Sequence, residues 1–156
     1  MSTVLRDELG NFSSIVCFKA VITGMEESLG EKATAIALIS AGRARGKKLA
    51  EDLGLKDASL SLEDLTEKMS TALGKEGTRL LIIEKIEKED EVYKAYTRET
   101  VCSAGEVDGS DRKCTFTLGA VQGALESITG KRFRGAHVES VLRGAQHDVF
   151  QSTPLG

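Results

Sequence analysis

The run Thr78–Cys102, TRLLIIEKIEKEDEVYKAYTRETVC, decides the fold of this 156-residue chain, because the hydrophobic period changes within it. Thr78–Ile86 is rich in leucine and β-branched residues, and Glu91–Cys102 alternates apolar with polar side chains. Both patterns are typical of β-strands. The charged segment Glu87–Asp90 between them predicts a turn. The run therefore predicts an antiparallel hairpin, which is flanked on both sides by sequence with helical spacing.

Three helices are predicted before the hairpin, and glycines mark their ends. Residues 3–29 and residues 31–53 follow three-and-four apolar spacing, and a glycine closes each run. The third helix begins at Ser61, which has the hydroxyl-then-carboxylate spacing of a capping box, and it ends near Gly74. The single proline, Pro154, comes too late to interrupt any of them.

After the hairpin the sequence predicts a loop, a helix and a second hairpin. Residues 103–113 are rich in Gly, Asp and Ser and form the loop, and Cys114–Thr129 has helical spacing. Phe133–Leu142 and His147–Gln151 are predicted strands around a turn at residues 143–146. The order ααα-ββ-α-ββ lacks βαβ alternation. It therefore predicts an α+β fold in which N-terminal helices pack on a four-stranded antiparallel sheet.

Composition is that of one globular domain spanning residues 1–156, with 40% apolar and 29% charged residues. The net charge of −3 and the 4% aromatic content argue against nucleic-acid binding. No apolar run is long enough for a transmembrane segment and no signal peptide is evident, so we expect a cytoplasmic protein. Three widely spaced cysteines do not form a disulfide framework.

Two predicted helices each carry a pair of glycines four residues apart, Gly42 with Gly46 and Gly119 with Gly123. Glycine in a helix interior costs about 1 kcal/mol relative to alanine, so these pairs need a reason. A bare helix face allows close approach of either another helix or a ligand, and the sequence leaves both open. Because such faces are too many for one small core, we also expect a homodimer.

Basic residues cluster on the second predicted helix, at Arg43, Arg45, Lys47 and Lys48. The sequence leaves two interpretations of this cluster open, a solvent-exposed helix face and an anion-binding site. No dinucleotide-binding fingerprint or Walker loop accompanies them, and no cofactor is predicted. A second basic group opens the first strand of the second predicted hairpin and could meet the first basic group in space. It consists of Lys131, Arg132 and Arg134.

Catalytic and metal-binding constellations are weak. Cys102, Cys114, His137 and His147 could be collected into a zinc site, but the spacing lacks paired ligands, so no metal is predicted. His147 and Asp148 are adjacent on a strand and face opposite ways, so they cannot form a dyad. Cys102 and Cys114 flank the loop and could form a redox pair, although two free thiols are the expectation. The sequence therefore predicts a protein that is not an enzyme.

Several local strings resemble the V4R domain family and, more distantly, the Bet3-type subunits of the TRAPP vesicle-tethering complex. Leu29–Ala33 followed by Ala41–Leu49 is similar to the glycine- and arginine-bearing second helix of that family. Cys114–Glu126 resembles its penultimate helix, and Val138–Ser140 with Asp148–Phe150 resembles its closing hairpin. The similarity spans roughly residues 10–151.

The V4R resemblance implies a fold of helices and strands, dimerisation through helices, and an apolar cavity for a small hydrophobic molecule. Family members usually carry cysteines in the closing hairpin, where this chain has Leu142 and Asp148-Val149, which argues against a thiol-based metal site there. Bet3-type proteins accommodate an acyl chain near a cysteine between the second and third helices. This chain has no cysteine between Cys17 and Cys102, so acylation is not expected.

The predicted function is a dimeric, non-catalytic binding module for a hydrophobic or acyl ligand. An aliphatic wall on the fourth helix, where the glycines leave space, would receive the hydrocarbon part of the ligand, and Arg43 would lie near the ligand's headgroup. The predicted ligand-binding residues are Arg43, Phe116, Gly119, Val121 and Gly123. Two alternatives remain: a Bet3-like scaffold that acts through its surface, and a thiol-dependent enzyme that uses Cys102 or Cys114 with His137.

Overall fold

A computed structural model describes residues 6–156, within which four α-helices precede or interrupt a four-stranded antiparallel sheet. This architecture confirms the predicted α+β fold and its order of elements. The elements are α1 (Ile15–Leu29), α2 (Glu31–Asp52), α3 (Leu62–Leu73), β1 (Ile82–Glu89), β2 (Val92–Arg98), α4 (Phe116–Thr129), β3 (Phe133–Glu139), a 3-10 turn (Val141–Arg143) and β4 (Asp148–Pro154).

The first helix is shorter than predicted. The start at residue 3 is wrong for the described part of the chain, because residues 6–14 form turns and coil; residues 3–5 lie outside the described residues. Gly10 has φ 68°, a left-handed conformation that does not continue a right-handed helix. Ser14 instead caps α1, since its side chain accepts a hydrogen bond from the backbone N–H of Val16.

The second and third helices follow the predicted bounds closely. Ser61 caps α3 and its hydroxyl oxygen accepts a hydrogen bond from the backbone N–H of Asp64 at 3.1 Å, which confirms the capping interaction. Leu65, Met69 and Leu73 recur at four-residue spacing and are buried, so one stripe of α3 faces the sheet, where it packs against β1.

The first hairpin begins later and turns later than predicted. Residues 78–81 return along the end of α3: the N–H of Leu80 donates to the carbonyl of Leu73 at 2.8 Å, so pairing with β2 starts only at Ile82. β1 continues through Glu89, and the chain turns at Asp90, whose φ of 54° is one that aspartate tolerates. β2 ends at Arg98 rather than Cys102.

The second hairpin is closed by a 3-10 turn instead of a simple loop. β3 ends at Glu139, and Ser140 accepts a hydrogen bond from the N–H of Leu142, so the predicted strand up to Leu142 is too long. β4 lies between β2 and β3 in the order β1-β2-β4-β3, and it extends to Pro154. A proline is tolerated there because β2 pairs with β4 only as far as Ser152, so at Pro154 the strand has a neighbour on one side only and is locally an edge.

The main core lies between the helices and one face of the sheet. α4 begins at Phe116, two residues later than predicted, and is buried along most of its length between α2 and the sheet. In β2, Tyr93, Ala95 and Thr97 alternate as the buried positions, as the period predicts. Within residues 6–156, no helix combines the length and the apolarity needed to cross a bilayer.

Candidate functional site

An apolar pocket opens between α1, the start of α4 and the segment that follows α3. Its volume is about 400 Å³, within the size range of small-molecule sites. Its lining comes from five separate segments and is mostly hydrophobic. The lining residues are Ser13, Ser14, Ile15, Cys17, Phe18, Val21, Arg45, Leu73, Thr78, Arg79, Leu80 and Phe116.

The inner wall of this pocket is formed by aromatic and aliphatic side chains. Phe18 of α1 and Phe116 of α4 meet edge to face, with ring centroids 5.3 Å apart. Leu73, the last residue of α3, is almost fully buried below them. Ile15 and Val21 are 41% and 55% exposed on the α1 side, so the pocket offers apolar surface to an incoming molecule.

The polar groups of the pocket are two arginines, three hydroxyls and one thiol. Arg79 lies over the ring of Phe12, with its guanidinium carbon 5.7 Å from the ring centroid, and its Nε donates to the carbonyl of Lys75. Arg45 projects from α2 and is exposed. Cys17 is exposed and is the free cysteine among the described residues. No acidic residue of the described chain lines the pocket.

The α1 wall is held in place by the loop of residues 103–113. Lys19 donates to the carbonyl of Ala104 at 2.7 Å, and Arg112 pairs with Glu26 of α1 at 2.9 Å. Arg112 also pairs with Glu106, and this hydrogen bond holds the pKa of Glu106 below its usual value. Partial burial lowers the pKa of Lys19. The position of one pocket wall therefore depends on these ion pairs.

The glycine pairs seat one helix against another. A Cβ at Gly119 would lie 2.3 Å from the carbonyl oxygen of Ile39, and one at Gly123 would lie 2.1 Å from that of Arg43. Gly42 and Gly46 meet the backbone of α4 in the same way. The expectation that Gly119 and Gly123 leave space for a ligand is wrong, because the α2 backbone fills that space.

The other predicted site residues lie in different surroundings. Val121 is fully buried in the core, and Phe116 lines the pocket. Arg43 is bound to Glu126: its Nε and Nη2 donate to the carboxylate at 3.1 and 2.9 Å. The side chain of Glu126 is only 3% exposed and also accepts the N–H of Phe133. Because Arg43 neutralises this buried carboxylate, its charge is committed to joining α2 and α4.

The two cysteines that flank the loop form a disulfide bond, with Cα atoms 5.2 Å apart. The expectation of two free thiols is therefore wrong, and the alternative of a paired arrangement is the one found. The reason is topological: Cys102 follows β2, Cys114 precedes α4, and both buried residues lie beside Asp148 at the start of β4. The sequence separation of 12 residues closes the loop that clamps α1.

Asp148 is the centre of a buried polar cluster. Thr100 donates to its Oδ2 at 2.8 Å, and the N–H of Val141 donates to its Oδ1 at 3.2 Å. His137 accepts the N–H of Cys114 at Nδ1, so its Nε2 donates to Asp148 at 3.0 Å. Burial alone would raise the pKa of Asp148, but the hydrogen bonds from His137 and Thr100 outweigh it and lower that pKa.

His147 lies apart from the Asp148 cluster. It lies in a bend just before β4, and its Nε2 is 2.6 Å from Glu84 of β1, so His147 and Asp148 have different partners and form no dyad.

The Asp148 cluster contains donor atoms of the kind that zinc accepts. The sulfurs of Cys102 and Cys114 and a carboxylate oxygen of Asp148 lie within 4.8 Å of one another. The sulfurs are bonded to each other and the carboxylate is filled by hydrogen bonds, so in this form the residues do not fit a metal. Leu142, at the other position where V4R-type hairpins carry a thiol, is buried and apolar.

Comparison with known proteins identifies the fold. No protein-family profile matches the sequence, and neither does any curated protein. The crystal structure of the phenol-responsive sensory domain of the transcription activator PoxR, with phenol, matches with a TM-score of 0.70 and 15% sequence identity. The match covers 92% of this chain and 76% of that chain. This chain has the fold of that sensory domain. Membership of the V4R family stays a prediction.

Sequence reasoning misses most of the pocket. The hydrophobic period places four lining residues on a long first helix but does not show that the rest of the protein leaves this helix face partly uncovered. These residues are Ile15, Cys17, Phe18 and Val21. The available signal is the apolar density of Ile15–Met25, which is high for a helix that buries only Ile22. Such a surplus indicates a face that covers something other than the core.

Proposed function

We propose that this chain is a small-molecule-binding domain whose hydrophobic ligand occupies the pocket between α1 and α4. The observation that carries the proposal is the pocket itself: about 400 Å³ walled by Phe18, Phe116 and Leu73, with only a few polar groups at its rim. Burial of a hydrocarbon against such walls contributes about 0.8 kcal/mol per methylene.

The shared fold supports a sensory role. The PoxR domain responds to phenol and was crystallised with it, and its fold covers nearly the whole of this chain. We propose that this chain likewise binds and responds to a small molecule, with a ligand of its own chemistry.

We also propose that the domain is not catalytic. The thiol-dependent alternative requires Cys102 or Cys114 as nucleophile with His137 as base. Both sulfurs are buried in a disulfide, and the ring of His137 is engaged by the N–H of Cys114 on one side and by Asp148 on the other. These contacts support a structural role for all three residues.

The cytoplasmic location expected from the sequence stays a prediction, and the Cys102–Cys114 disulfide counts against it, since such bonds are rare in reducing compartments.

A homodimer is also part of the proposal, although the glycine pairs no longer support it because they pack within one chain. New support comes from exposed aliphatic side chains on α1 and α2: Val16, Leu29 and Ile36 are 72%, 61% and 64% exposed. Sedimentation equilibrium should show a dimer at tens of micromolar, where a micromolar Kd would already be evident. A monomer at that concentration would exclude the homodimer.

Titration with N-phenyl-1-naphthylamine, a neutral dye that fluoresces in apolar surroundings, tests ligand binding. We expect saturable binding to the native protein. Val21→Trp places a bulky group on an exposed position of the pocket lining and should weaken binding by about ten-fold, equivalent to about 1.4 kcal/mol.

The matched control for this titration is Val138→Trp, at a similarly exposed valine that lies outside both the lining and the proposed dimer surface. It should bind the dye as the native protein does. Absence of saturable binding, or equal loss in both variants, would contradict the proposed site.

A further inference from the structure

The rim of the pocket carries two positive charges and, among the described residues, no negative charge. Arg45 and Arg79 both belong to the lining, and none of the residues that share it is Asp or Glu. Other cations around α1 and α4 are neutralised, since Lys19, Arg43 and Arg112 each pair with a glutamate. The pocket mouth is thus a place along these helices where positive charge is not balanced by a bound carboxylate.

Both arginines have hydrogen-bonding groups to spare. Within residues 6–156, Arg45 makes no ion pair and no side-chain hydrogen bond, and Arg79 uses only its Nε, toward the carbonyl of Lys75. A guanidinium has five N–H donors in a fork that matches a carboxylate. The terminal nitrogens of two such groups at one apolar pocket are suited to an anionic headgroup.

We propose that the ligand of this pocket is an apolar molecule with a single carboxylate, held by Arg45 and Arg79 at the rim while its hydrocarbon body lies against Phe18 and Phe116. This inference rests on the proposed function and names the chemical class of its ligand. A multiply charged anion fits less well, because the lining holds no cationic group besides the two arginines, and Phe18, Leu73 and Phe116 provide no partner for further charges.

Competition between decanoate and decanol tests this class, because the two share an alkyl chain and differ in the charged group. Each is used to displace N-phenyl-1-naphthylamine from the native protein and from the double variant Arg45→Gln/Arg79→Gln. We expect the Kd of decanoate to rise about ten-fold in the variant, the equivalent of about 1.4 kcal/mol. The Kd of decanol should change less than about two-fold, since the hydroxyl carries no charge.

Lys32→Gln/Lys68→Gln is the control for net charge, because it also removes two positive charges. Lys32 lies on the same helix about 20 Å from Arg45, given a rise of 1.5 Å per residue, Lys68 lies on α3, and both are outside the lining. The Kd values of decanoate and decanol for this control variant should equal those for the native protein. A second readout needs no variant: raised ionic strength should weaken decanoate and spare decanol.

The possible failures are distinct. If the native protein binds no dye, the proposed function is wrong and the inference falls with it. If the dye binds but the double variant weakens decanoate and decanol equally, or neither, the pocket stands and the carboxylate class is wrong. Affinity for decanoate that does not respond to salt would overturn the inference in the same way.

Discussion

Replacement of Gly123 by alanine should destabilise the protein, because α2 and α4 touch through their backbones at this position. The new Cβ would lie 2.1 Å from the carbonyl oxygen of Arg43, whereas ordinary contacts begin at 3.4 Å. The difference, 3.4 − 2.1, requires a shift of about 1.3 Å. The obstructing atoms belong to the backbone, so no side-chain rotation relieves the contact.

The magnitude follows from two opposing effects. Overpacking of a well-packed contact costs about 1–3 kcal/mol, and a backbone obstruction belongs at the upper end. Alanine recovers about 1 kcal/mol through its better helix propensity. We therefore expect Gly123→Ala to lower the free energy of unfolding by about 2 kcal/mol in urea titrations followed by circular dichroism.

Gly24→Ala is the matched control for this prediction. Gly24 also lies within a helix, α1, but a Cβ added there would meet no described atom within 4 Å, so only the propensity gain applies. It should raise the free energy of unfolding by about 0.5–1 kcal/mol. Equal stability changes in the two variants, or a more stable Gly123→Ala protein, would refute the close α2–α4 contact.

Three further predictions concern the buried polar groups. Reduction of the Cys102–Cys114 bond should lower the free energy of unfolding by about 3 kcal/mol, measured by urea titration with and without dithiothreitol. By mass spectrometry the untreated protein should be lighter than the reduced protein by two hydrogen atoms. Arg43→Leu leaves the carboxylate of Glu126 buried without its arginine and should cost about 3 kcal/mol, so an unchanged unfolding midpoint would contradict the pair. Folding lowers the pKa of Asp148, so its carboxylate should stabilise the protein above about pH 4 and lose that contribution as the pH falls further. Urea unfolding measured at a series of pH values should show this loss in the native protein and not in Asp148→Asn.

The elements of this fold could be predicted because each has a local signal. The change of period at Thr78 marks the strands, and the hydroxyl of Ser61 marks the start of α3. The boundaries are less accurate where tertiary hydrogen bonds decide them, as at Leu80, which bonds to α3 instead of β2. The glycine pairs show that something approaches α2 and α4 closely, but only the packing shows that the two faces meet each other.

The candidate site was harder to predict because distant segments build it. Phe18, Leu73 and Phe116 belong to three helices, and their meeting depends on how α1 is clamped by the loop at residues 103–113. The same holds for the disulfide, since the approach of Cys102 to Cys114 follows from the placement of β4 and its Asp148. Sequence spacing contains neither piece of information.

Alkylation of Cys17 tests the central claim most directly, because this exposed free thiol lines the pocket. Its rate of reaction with iodoacetamide is followed by intact mass spectrometry with and without N-phenyl-1-naphthylamine. At a dye concentration about ten times its Kd, an occupied pocket should slow the reaction about ten-fold. An unchanged rate at a concentration where fluorescence shows saturation would contradict the account, because the dye would then be bound somewhere other than the pocket between α1 and α4.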